Sequence, residues 1–124
     1  VAMTIAHDSH NLVVVGDNDK DMMIAIQELK DIQGGITIAH NGTIVDSLQL
    51  EIAGLMTNQE FNQVKDKLIQ MNKAARELGV NKKIDDPFLS LAFMSLPVIP
   101  DLKLTDKGLF DVKLFMPTKI EVSE

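Results

Sequence analysis

The sequence predicts an α+β fold: a mixed β-sheet with a strand–helix–strand–hairpin unit, packed by one long amphipathic helix and one short buried helix. Three observations predict it. Residues 12–50 hold apolar runs on either side of a helical repeat, and the later runs flank an Asn-Gly pair. Residues 61–78 place apolar side chains at spacings of three and four. The run from Phe88 to Leu96 is apolar except for two serines, and it follows Asp85-Asp86-Pro87. With 124 residues, 45% of them hydrophobic, the chain can bury a core and is read as a single domain over residues 1–124.

Each element has a local reason. Ala2 to Ala6 reads as a short strand, interrupted by His7-Asp8-Ser9-His10-Asn11. Leu12 to Val15 is a continuous β-branched run of the kind buried strands use. Gly16-Asp17-Asn18-Asp19 breaks it. Asn18 fits the N-cap, and Asp21 falls in the acid-favoured first turn of a helix carrying Met22, Met23, Ile26, Leu29 and Ile32. Gly34 and Gly35 are the expected stop. Ile36 and Ile38, then Thr43 to Leu50, alternate around the Asn41-Gly42 turn. Strand, helix and strand in that order imply a crossover between parallel strands. Thr57 to Glu60 matches a capping box ahead of Phe61, Val64, Leu68, Met71, Ala75 and Leu78, and Gly79 ends that helix. Asp85-Asp86 before Pro87 caps the run to Leu96. Pro97 and Pro100 bracket a short extended piece, Thr105 to Gly108 forms a turn, and Leu109 to Glu124 supplies one or two edge strands.

Composition narrows the function. The five Phe, with no Tyr or Trp, leave an aliphatic core in which the seven Met fill gaps. A net charge of -6 opposes binding to nucleic acid or to an anionic membrane, which needs a basic face. Cysteine is absent, which removes disulfides, thiol nucleophiles and cysteine-ligated zinc. No apolar run reaches the roughly 20 residues of a membrane span, and no secretory signal is visible. A cytoplasmic location fits. The chain enters strand-like sequence almost at Val1, as expected of a segment cut from something longer.

The candidate site is His7, Asp8, Ser9, His10 and Asn11. On a regular strand, His7 and Ser9 face one way and Asp8 and His10 the other, which opposes a self-contained triad or a two-histidine metal site. The plain alternative is that these side chains bond local backbone. A third is a site completed by residues outside the chain. Gly16-Asp17-Asn18 lies where phosphates often bind, but it holds one glycine among three aspartates and reads as capping. Asp85-Asp86 also reads as capping rather than an acid–base pair. His40 belongs at an exposed hairpin tip. Met22, Met23, Phe88 and Phe93 read as core.

Four stretches carry a resemblance: AHDSHNLVVVGDNDKDM, GGITIAHNGTIVDSLQLEIAGLM, AARELGV and DDPFLSLAFMSLPVIPDLKLTDKGLFDV. In order and spacing they resemble the C-terminal domain of adenine deaminases, from about residue 4 to residue 112. The resemblance implies a parent amidohydrolase that hydrolyses adenine to hypoxanthine and ammonia. It implies an upstream barrel with a manganese or iron centre that activates water. The barrel's His-x-His motif has no counterpart here, so no metal or other cofactor is expected in this segment. Its expected partners are its own barrel, with adenine as the parent's substrate, and a second copy of the chain. Three uses follow: a structural and interface domain inactive alone, a domain that lends residues 7–11 to closing the parent active site, or a small-ligand regulatory module.

Overall fold

In a computed structural model, which describes residues 1–121, the chain folds around a four-stranded sheet with helices on both faces. The elements run β1 (Ala2–Met3), β2 (Val13–Val14), α1 (Asp19–Asp31), β3 (Gly35–His40), β4 (Thr43–Gln49), α2 (Phe61–Glu77) and α3 (Pro87–Ala92). Then come β5 (Leu102–Thr105), β6 (Gly108–Asp111) and β7 (Met116–Pro117). The large sheet has the order β2-β1-β3-β4, and β5-β6-β7 form a second, smaller sheet.

Alternation along β3 decides the layers. Ile36 and Ile38 point to one face and join Met3, Leu48, Met71 and Ala75 in the main core under α2, with Phe88 and Ala92 of α3. Ala39 points to the other face, where Ala2, Ala25 and Leu29 let α1 approach closely. A polar chain ties α1 to the sheet: Glu28 Oε1 accepts from Ser47 Oγ at 2.8 Å, and Ser47 Oγ lies 2.9 Å from Thr37 Oγ1. On the opposite face Lys67 of α2 pairs with Asp46 of β4. Gly35 has φ +144°, and a Cβ there would stand 2.1 Å from the Leu48 carbonyl oxygen, so no larger residue fits this crossing.

The α+β class holds, with differences in detail. The sheet is antiparallel rather than mixed. Every ladder is antiparallel, because β1 inserts between β2 and β3 and pairs antiparallel with both. The crossover β2–α1–β3 therefore joins two parallel strands that never bond each other. The run Leu12–Val15 is not a buried strand: only Val13–Val14 pair, at the sheet edge, and Val15 is 55% exposed. Helix α1 ends at Asp31, with Ile32 and Gln33 between it and the glycines. Gln33 takes the left-handed position at φ 61°, while Gly34 N–H reaches back to the Leu29 carbonyl at 2.8 Å. The capping box does not form. Thr57 Oγ1 accepts from Gln59 N–H, and α2 begins after Glu60 with no side-chain cap. Helix α3 covers only Pro87–Ala92, and beyond it the chain turns rather than extends between Pro97 and Pro100. Of its apolar side chains, Phe88 and Ala92 are buried but Leu89 is exposed. Met23 is likewise exposed rather than core, with Met22 only partly covered. The tail does hold two strands, but only β7 is an edge strand, because β6 lies between β5 and β7; the expected strand region from 122 to 124 lies outside the described residues.

Candidate functional site: a polar turn at the rim of an apolar groove

Strand β1 ends early because Thr4 is tied elsewhere. Its hydroxyl accepts from Gly35 N–H at 2.9 Å and donates to the Gly54 carbonyl at 2.6 Å. The chain then runs to the end of α3, where His7 N–H donates to the Ala92 carbonyl at 2.8 Å and the Ser95 hydroxyl reaches the His7 carbonyl at 3.5 Å. His10 N–H donates back to the Ala6 carbonyl at 2.6 Å and closes the turn, with His10 itself at φ 54°.

The expected site residues therefore sit on a turn, not on a strand. Asp8, Ser9, His10 and Asn11 are exposed, and His7 is half-buried. The turn brings together what a regular strand would separate. The His7 ring stacks on Phe93 with centroids 4.9 Å apart and planes 29° apart. The His10 ring meets His7 at 5.9 Å and 64°, an edge-on contact. Opposite faces were expected for these two histidines. The two-residue length of β1 is the reason that expectation fails. Among the described residues no group of three His, Asp or Glu side chains is placed to hold a metal ion.

Beside the turn runs an apolar groove. One part, about 420 Å³, is lined by Asn11, Leu12, Leu91, Met94, Ser95 and Leu104 among others. A second part, about 300 Å³, lies between Val1, Val15, Val80, Ile84, Leu91 and Met94. The two adjoin at Leu91 and Met94, which line both, and Met94, 49% exposed, stands between the two parts of this trough. Asn11 is the link: it belongs to the polar turn and lines the trough. From the sequence, only the polar turn stands out at this surface. Leu12, Val15 and Leu104 were missed. The signal for Leu12 and Val15 was visible as an apolar run, but it pointed equally to burial.

The remaining candidates resolve as structure. Asn18 Oδ1 accepts from Asp21 N–H at 2.8 Å, capping α1 as expected. Asp86 Oδ1 accepts from Phe88 and Leu89 N–H at 2.9 and 3.0 Å, capping α3. The Asp85 and Ile84 carbonyls instead hold the Arg76 guanidinium, at 2.6 and 2.9 Å. His40 is exposed at the hairpin, where its carbonyl accepts from Thr43 Oγ1. Asp21 does more than start a helix. Its carboxylate accepts from Gly42 N–H at 2.7 Å and Asn41 N–H at 3.0 Å, pinning the β3–β4 turn to α1. Those donors hold its pKa below the ordinary value, Gly42 contributing most.

Comparison with known proteins agrees with the resemblance. A family model described as the adenine deaminase C-terminal domain matches residues 1–116. The chain is 51% identical over 116 residues to an adenine deaminase of Clostridium acetobutylicum, covering 93% of this chain and 20% of that protein. It is 50% identical over 123 residues to an adenine deaminase of Nitratidesulfovibrio vulgaris strain DP4, covering 98% of this chain and 21% of that one. Adenine deaminase 1 of Rhizobium meliloti is 46% identical over 116 residues. The chain thus spans about one fifth of the length of these curated relatives. With the family model covering nearly the whole chain and relatives at half identity along it, this protein belongs to the adenine deaminase C-terminal domain family.

Proposed function

We propose that residues 1–124 act as the C-terminal domain of an adenine deaminase, packing on its metal-binding barrel and carrying an interface rather than the chemistry. On this reading the parent is a cytoplasmic hydrolase of purine salvage that converts adenine to hypoxanthine and ammonia. Its metal, manganese or iron, belongs to the barrel. Relatives named adenine deaminase, each about five times the matched length, support the parent activity. The observation that carries the interface role is the trough around Met94. Val15, Met94 and Leu104 stand about half or more exposed around it. Burying each such side chain is worth roughly 1.5–3 kcal/mol, so a surface like this is stable when covered.

A second reading rests on its own observation. The polar turn shares Asn11 with the trough, so whatever covers the trough meets His7 to Asn11 at its rim. That favours a turn that helps to close the parent's active site.

Hydrogen–deuterium exchange compares the isolated chain with the full-length enzyme. Amides of residues 12–15 and 89–95 are expected to exchange markedly more slowly in the full-length protein. Equal exchange there would sink the interface role. Protection of the isolated chain that depends on its concentration would assign the trough to a second copy instead. In parallel, the isolated chain with added manganese or iron is expected to show no adenine turnover.

A further inference from the structure

We infer that His10 is the side chain that the turn offers to an aminopurine substrate or to its attacking water, and that His7, clamped on Phe93, is the positioning residue beneath it. This deepens the second reading above and rests on it.

The two histidines are held differently. His7 is fixed three ways: its N–H bonds the Ala92 carbonyl, its carbonyl takes the Ser95 hydroxyl, and its ring lies on Phe93. One ring face is covered, and the side chain is half-buried. His10 is exposed, and its backbone is tied by one bond, to the Ala6 carbonyl. Its ring rests edge-on against His7. A fixed ring under a free one is a pedestal: the lower ring limits the rotamers open to the upper one. A neutral imidazole donates at one nitrogen and accepts at the other, which suits the mixed donor and acceptor edge of an aminopurine or a bound water. Asp8, Ser9 and Asn11 are polar but have no such support in the described structure, and Asn11 is committed to the groove wall.

The test is steady-state adenine deamination by the full-length enzyme carrying single and double substitutions. His10→Ala should lower kcat/KM by about tenfold or more with an unchanged thermal midpoint. His7→Ala should lower it by about threefold to tenfold, and His7→Phe, which keeps a flat ring on Phe93, should restore it to within about twofold of wild type. Adding His7→Ala to His10→Ala should cost nothing more, because His7 acts through His10. A merely structural His7 would lower the thermal midpoint instead and would add its effect in the double variant. If His7→Phe is as harmful as His7→Ala, or the two losses multiply, His7 makes its own contact and the pedestal is wrong while the loop reading survives. If His10→Ala, His7→Ala and Asp8→Ala all stay within about twofold of wild type, the loop reading itself fails and this inference with it.

Discussion

Gln33 and Asp21 show how single residues set local energies here. Gln33 occupies the left-handed position that ends α1, at φ 61°, with a side chain that pays a steric cost glycine would not. Gln33→Gly is therefore expected to raise stability by about 0.5–1 kcal/mol, read as a higher urea midpoint. Asp21 works through charge. Its carboxylate accepts the Gly42 and Asn41 N–H groups, and its pKa lies below the ordinary 3.8. A depressed carboxylate contributes stability that is present above the unfolded value and is lost as pH falls through the folded one. Asp21→Asn should therefore lower the urea midpoint at neutral pH, and the gap from wild type should close below about pH 4. A gap that persisted in acid would mean the side chain acts by shape rather than charge. The capping role of Asn18 was legible, since it needs only local spacing. The second role of Asp21 was not, because Gly42 lies 21 residues away and only the fold brings it near.

At the scale of elements, the caps separate α2 from α3. Asp86 satisfies two N–H groups at the start of α3. The side chain of Glu60 satisfies none at the start of α2. Asp86→Ala is expected to cost about 1 kcal/mol in chemical denaturation, and Glu60→Ala close to nothing. The long helix does without a cap because its Val64, Leu68, Met71 and Ala75 stripe packs on the sheet. Periodicity of three and four made α2 legible, as Asn41-Gly42 did the hairpin. The length of the first strands was not legible. Whether β1 spans two residues or five depends on Thr4 finding Gly35 and Gly54, contacts 31 and 50 residues distant.

Across the whole molecule, the trough around Met94 gathers four parts of the chain: Val1, residues 11–15, residues 80–95 and residues 104–106. Val1, Val13, Val80 and Leu91 at the trough's floor pack against the main core, but Met94 belongs to neither core cluster. Met94→Asp should accordingly change the stability of the isolated chain by less than about 0.5 kcal/mol. In the full-length enzyme the same substitution should lower the thermal midpoint by several degrees, since it would bury a charge. An equal effect in both proteins would place Met94 in the fold rather than the interface. Among the described residues no helix is long and apolar enough to cross a membrane.

The family, the α+β class, the caps of α1 and α3, the hairpin and the amphipathic helix were determined by the sequence alone. Each depends on residue types a few positions apart, or on strings specific enough to match relatives. The tertiary structure decided which apolar residues stay in water and which polar ones meet. Leu12–Val15 reads as a core strand until β1 takes the central place and leaves β2 at the edge. His7 and His10 read as divergent until a short strand gives way to a turn and Phe93 arrives beneath His7. Both outcomes are set by contacts between distant segments, which local pattern does not encode.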